Sequence, residues 1–165
     1  MEQMFKHAAS TIFIGIGATA ILDIWILGLK ALKVPTMNFA VLGRWVGHIP
    51  LGRWKHERIA SAPPIGGEAV LGWAAHYAIG IAFAALLVIF NGAVWLEMPR
   101  LLPALIIGLV TAIAPLFIMQ PAMGGGVAFT RTPAPVFNCL KRLLNHGIFG
   151  FGLYLAAVIL AFLKH

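Results

Sequence analysis

Apolar residues fall into four long runs along the chain, and stretches rich in charge, proline or glycine separate these runs. The runs are Ala8–Leu32, Ala69–Phe90, Leu101–Met119 and Leu143–Leu163. A helix needs about 20 apolar residues to cross the hydrocarbon core of a bilayer. The pattern therefore predicts an all-α membrane protein with four transmembrane helices, folded as a single integral domain over residues 1–165.

Parts of the pattern occur twice. Pro63, His76 and Gly80 recur at the same spacing as Pro133, His146 and Gly150, and Thr19-Ala20-Ile21 recurs as Thr111-Ala112-Ile113. We interpret the matches as two helical hairpins, at roughly 8–90 and 101–163, that form a parallel internal repeat about an axis along the membrane normal. Chance similarity between apolar segments is the alternative.

Composition and charge agree with a membrane protein. Of the 165 residues, 61% are hydrophobic and 10% are charged, whereas about a quarter of the residues in a soluble domain are charged. The formal net charge is +7, but the basic residues lie beside the apolar runs. There they fit membrane topology and anionic headgroups, and we expect no nucleic-acid partner, which would require a basic stripe on a polar surface.

Lysine and arginine are concentrated between the first and second runs and between the third and fourth runs. Cytoplasmic loops carry such an excess. We therefore expect loops 33–67 and 121–142 in the cytoplasm and both termini outside. The first run continues past a segment that resembles a signal-peptide cleavage site, so we expect it to be retained.

The first of these loops is rich in tryptophan beside basic residues, which is typical of a segment in the lipid headgroup region. We expect a short interfacial helix within Asn38–Val46, followed by an ordered but irregular stretch. A solvated loop is the alternative. The residues expected to contact headgroups are Arg44, Trp45, Arg53, Trp54, Lys55 and Arg58.

Asp23 lies well inside the first run, where it shares one helical face with Thr19. A charged side chain at the centre of a membrane helix costs about 2.5–3.5 kcal/mol on insertion scales. His76 has a comparable depth in the second run, so a contact between Asp23 and His76 is feasible. The pair could relay a proton or hold a cation, or it could be only a structural hydrogen bond between helices.

Three further residues extend this intramembrane polar cluster towards the cytoplasmic side. Pro115 is a predicted helix break, because proline removes a backbone donor and releases the carbonyl of Thr111. Gln120 ends the third run, and His146 lies near the edge of the fourth. Hydrogen bonds at helix ends, without any substrate, are the alternative role for Gln120 and His146.

No catalytic signature is present. The chain lacks a two-histidine helical motif, a cysteine pair and a Gly-x-Ser-x-Gly turn, so we expect no metal and no cofactor. The glycines that follow Met123 do not form a phosphate-binding loop, because no Lys-Ser/Thr follows them.

Several segments together resemble a family of small, uncharacterised bacterial inner-membrane proteins with four spans, a domain of unknown function. The segments are Leu22–Trp25, Gly43–Trp45, Leu71–Gly80, Met119–Gly124 and His146 with Phe149–Tyr154. The resemblance covers nearly the whole chain. It implies a bacterial inner membrane and four spans, and it implies no reaction.

Three functions are compatible with these features. The first is a small oligomeric transporter or channel-like protein whose polar cluster handles protons, a cation or a small solute. The second is a non-catalytic scaffold or accessory subunit of a membrane complex. The third and weakest is a lipid-modifying enzyme that uses the loop arginines and His56. Four helices make a thin bundle, and the fourth run has a glycine-rich face, so we expect a homo-oligomer, most simply a dimer.

Overall fold

The computed structural model describes residues 1–164, which contain helices and no strand. The α-helices are α1 (Glu2–Ala31), α2 (Phe39–His48), α3 (Glu68–Asn91), α4 (Val94–Glu97), α5 (Leu101–Val110), α6 (Gln120–Met123) and α7 (Pro135–Leu163). Short 3-10 turns cover Ile49–Leu51, Ile59–Ser61 and Val127–Phe129. The predicted all-α class is confirmed.

Four helices are long and apolar enough to cross a membrane, as predicted: Glu2–Ala31, Glu68–Asn91, Leu101–Met123 and Pro135–Leu163. In the most apolar 18-residue stretch of each helix, between 17% and 33% of the residues are buried inside the protein. Large apolar side chains such as Ile89 and Phe90 therefore point outward, which suits a lipid environment. The parallel repeat stays a prediction.

The first and last helices extend beyond the apolar runs that predicted them. Glu2 and Lys6 form an ion pair of 2.7 Å one turn apart on α1, and Pro135 opens α7, where its missing N–H costs nothing. An apolar run marks the length that lipid can solvate, whereas the backbone hydrogen bonds of a helix continue into its polar flanks.

Local capping explains where α1 ends and α2 begins. Lys33 adopts a left-handed φ of 58°, and the amide of Val34 donates to the carbonyl of Leu29 at 2.9 Å. Asn38 then caps α2, because its side chain accepts a hydrogen bond of 2.9 Å from the amide of Ala40. A helix at the predicted position is thereby confirmed, although it ends at His48 and not at Val46.

The third long helix is irregular around Pro115. Regular α-helix ends at Val110, and residues Ala114–Met119 have π-helical geometry before α6 begins. A proline removes one backbone donor and crowds the preceding turn, so a wider turn is a common response. The segment ends at Gly124, whose φ of 95° favours glycine at a helix C-terminus.

The chain divides into two compact units. Unit 1 comprises residues 1–36, residues 77–111 and the described chain from Asn145 onward. Its core consists of apolar side chains of α1, α3, α4, α5 and α7. Ile14, Leu87 and Leu153 of this core are almost fully buried. Trp95 closes this core, and its indole N–H donates to the carbonyl of Arg100 at 3.1 Å.

Unit 2 comprises residues 37–76 and 112–144. It contains α2, the first turns of α3, the π-helical segment and the loops around them. A small apolar cluster of Ala112, Leu116 and Phe129 packs with Cys139. A backbone hydrogen bond joins the loop after α2 to α6: the amide of His56 donates to the carbonyl of Ala122 at 2.7 Å.

Candidate functional site

The carboxylate of Asp23 has a phenol as a partner. The hydroxyl of Tyr77 on α3 donates to Oδ2 of Asp23 on α1 at 3.0 Å, and both side chains are partly buried. Sequence reasoning missed Tyr77, although a phenol inside an apolar helix needs a hydrogen-bond partner. The contact of Asp23 with His76 stays a prediction.

Small residues bring α1 and α3 close together beside Asp23. A Cβ atom on Gly15 would lie 2.6 Å from Cα of Ile81, and one on Gly80 would collide with the hydroxyl of Thr19. Thr19 is buried and donates to the carbonyl of Gly15 at 2.8 Å. The Thr19 hydroxyl therefore has its hydrogen-bond partner within α1. The small residues on this face allow the backbones of α1 and α3 to approach closely.

His146 is hydrogen-bonded where α5 ends. Its Nδ1 lies 3.1 Å from the carbonyl oxygen of Gly108 and 3.1 Å from Oγ1 of Thr111. Because a carbonyl only accepts, this geometry assigns the proton to Nδ1. The hydroxyl of Thr111 also donates to Gly108, at 2.7 Å. The preceding residue, Asn145, accepts a hydrogen bond of 3.0 Å from the indole of Trp25, a pair that sequence reasoning missed.

His76 belongs to an aromatic group in unit 2. The centroid of its ring lies 4.3 Å from that of Phe39 and 5.9 Å from that of Trp73. Phe39 opens α2, so this stacking joins α2 to the start of α3. The role of His76 in a polar cluster stays a prediction.

Gln120 begins α6 after the π-helical segment around Pro115. Its side-chain oxygen lies so close to Gly125 that a Cβ atom on that glycine would collide with it. Gln120 also lines a cavity in unit 2.

Arg44 is held by protein groups. Its guanidinium forms two hydrogen bonds of 2.8 Å with the carboxylate of Glu68 and reaches the carbonyls of Ala60 and Ala62 at 3.0 and 3.1 Å. The hydrogen bonds and the charge of Glu68 raise the pKa of Arg44 above its ordinary value. This arrangement fastens the loop before α3 to α2.

The other residues expected at headgroups lie in the same loop. The indole of Trp45 donates to the carbonyl of Trp54 at 2.7 Å. Arg53, Trp54, Lys55 and Arg58 are exposed. Their contact with lipid headgroups stays a prediction.

Two histidines of unit 2 are paired. Nδ1 of His48 lies 2.8 Å from Nε2 of His56, and the rings are stacked. Nδ1 of His56 is buried without a hydrogen-bond partner among the described residues. Burial, chiefly, and the positive charges that His48 and Arg53 can carry lower the pKa of His56. Within residues 1–164, no group of three metal-binding side chains is placed to hold a metal ion.

Acidification is expected to destabilise this histidine pair. The pKa of His56 is lowered in the folded protein, so the unfolded chain takes up the proton first, at about pH 6.5. The contribution of the histidine pair to the free energy of unfolding is therefore complete above that pH and falls as the pH drops through it. Thermal unfolding of purified protein between pH 7.5 and 5.5 measures the loss, and His56→Gln should flatten the profile, whereas His7→Gln should leave it unchanged. Parallel profiles for all three proteins would contradict the expectation.

The length and composition of the four long helices are those of a multi-pass membrane protein, with a carboxylate inside the first helix. The chain belongs to the family described as Protein of unknown function (DUF2938), whose model matches residues 12–160. The predicted membership of an uncharacterised family is thereby confirmed. No curated protein and no solved structure matches the chain.

Proposed function

We propose that this protein is a small transporter or channel-like protein in which Asp23 binds a proton, a cation or a small cationic solute within the membrane. The observation that carries the proposal is the hydrogen bond between Asp23 and Tyr77 across α1 and α3. A phenol donates a hydrogen bond to a carboxylate and can thereby orient it. A carboxylate kept in an apolar helix in this way can gain a proton or a cation reversibly.

The energetic argument supports a function over a purely structural role. A hydrogen bond between membrane helices contributes on average about 0.6 kcal/mol, whereas a central carboxylate costs about 2.5–3.5 kcal/mol on insertion scales. An asparagine or a threonine would hold the two helices together at a smaller penalty.

We also propose a bacterial inner-membrane location, with loops 33–67 and 121–142 in the cytoplasm and both termini outside. The excess of basic residues in these loops supports the orientation. We propose further that the protein works as a homo-oligomer, most simply a dimer, because four helices alone enclose little space for an aqueous path.

Flux through the purified protein tests the proposal. Reconstituted vesicles that contain a pH-sensitive dye, with a potassium gradient and valinomycin, report proton movement, and vesicles loaded with potassium or sodium report cation movement. We expect flux above that of empty vesicles for one of these ions or for a small organic cation. Flux equal to that of empty vesicles for all of them would sink the proposal.

A further inference from the structure

Unit 2 contains an open cavity of about 340 Å³ next to α2 and α6. Backbone contacts define its walls. A Cβ atom on Gly124 would collide with the carbonyl of Glu57, and the amide of Arg131 donates to the carbonyl of Gly125 at 2.9 Å. Gly124 and Gly125, which line the cavity, are therefore held in place by backbone contacts.

The polar groups in this cavity are cationic or neutral. Arg58 and Arg131 both line it, and its lining includes no carboxylate. In the part of the chain that the structure describes, neither guanidinium makes a hydrogen bond or an ion pair with another residue. Arg44, by contrast, has Glu68. The carboxamide of Gln120 also lines the cavity and has no such partner among residues 1–164.

A third guanidinium adds positive charge nearby. The Nη2 atom of Arg142 on α7 lies 3.9 Å from the sulfur of Met37, which lines the cavity. The Cζ atom of the same guanidinium is 5.8 Å from the centroid of the Phe129 ring. Like charges at one cavity repel each other, and an anion removes that repulsion.

We propose that this cavity binds a phosphate group through Arg58 and Arg131, with the Gln120 carboxamide as a further donor. The planar guanidinium matches two phosphate oxygens at once. The volume lies at the lower end of small-molecule sites, which span about 300–1,000 Å³, so it admits a phosphate and a small attached group. That phosphate belongs either to a lipid headgroup or to a small soluble compound. The proposal is independent of the flux through Asp23.

Two binding measurements separate the sources. Titration of inorganic phosphate into protein in a zwitterionic detergent, followed by calorimetry, detects a soluble ligand. Nanodiscs of phosphatidylcholine with and without phosphatidic acid, followed by native mass spectrometry, detect a lipid headgroup. Saturable binding in the first measurement identifies a soluble phosphate, and selective retention of phosphatidic acid alone identifies the lipid.

The double variant Arg58→Gln, Arg131→Gln tests the residues, and Lys30→Gln, Lys33→Gln, at two exposed lysines away from the cavity, is the matched control. Both remove two positive charges, but only the first pair lines the cavity. We expect the first to weaken binding about tenfold or more, as for a lost charged hydrogen bond, and the second to change it less than about twofold. Gln120→Leu, which keeps the charge, should weaken binding less than the double arginine variant.

The proposal is overturned if the wild-type protein binds neither probe, or if the control variant loses as much affinity as the cavity variant. Equal losses would mean that phosphate binding depends only on the net charge of the protein. Arg58 and Arg131 are exposed, and their side chains make no hydrogen bond or ion pair among residues 1–164. Both variants should therefore fold. Circular dichroism and gel filtration check this.

Discussion

Replacing Gly72 with alanine is expected to destabilise the protein by about 3 kcal/mol, the upper end of the cost of overpacking a well-packed contact. A Cβ atom at this position would collide with the carbonyl oxygen of Phe39 and lie 2.6 Å from its carbonyl carbon. It would also lie 3.0 Å from the amide nitrogen of Gly43. All three atoms belong to the backbone of α2, so no side-chain rotation relieves the clash.

Denaturant unfolding in mild detergent measures this loss. Gly28→Ala is the matched control, because a Cβ atom there meets nothing within 4 Å. Alanine also has the higher helix propensity, so the control should be neutral or more stable by about 0.5–1 kcal/mol. Gly72→Ala with the stability of the wild type would contradict the packing of α2 against α3.

Replacing Asp23 with asparagine is expected to lower any flux through the protein about a hundredfold or more, the usual loss when a proton-transferring group is removed. Asparagine keeps the shape of the side chain and can still accept a hydrogen bond from Tyr77, but it carries no charge. The fold should persist. Tyr77→Phe keeps the carboxylate and removes one hydrogen bond, so its effect on flux should be much smaller.

Glu97→Gln is the control, because Glu97 ends α4, outside the four candidate membrane helices. Reconstituted vesicles measure flux, and gel filtration reports folding and association. Wild-type flux in Asp23→Asn would refute a role in transport. Altered association of this variant, without any flux in the wild type, would favour the scaffold or accessory-subunit interpretation instead.

Several elements follow from the sequence because their causes are local. The four long apolar helices are set by run length, since a chain in lipid must satisfy its backbone hydrogen bonds within each helix. The start of α2 follows from Asn38, whose side chain caps the first turn. Pro115 marks an irregularity, although its π-helical form depends on how the following residues repack.

The partners of the polar side chains did not follow from local patterns. The contact of Asp23 with His76 was argued from depth along the helices, and it stays a prediction. Depth does not decide which side of a helix faces a neighbour, so the contact of Tyr77 was missed. The hydroxyl of Tyr77 on α3 donates to Asp23. The ion pair of Arg44 with Glu68 at the start of α3 was likewise missed, because the two residues are far apart in the chain.

By itself, the sequence determined an all-helical chain with four apolar helices, since hydrophobic length and backbone hydrogen bonding act within each segment. Only the tertiary structure decided the contact of Tyr77 with Asp23, the pairing of His48 with His56 and the cavity lined by Arg58 and Arg131. These contacts join residues far apart in the chain. They depend on the close approach of backbones at glycines such as Gly72 and Gly80, and that approach is a property of helices packed in three dimensions.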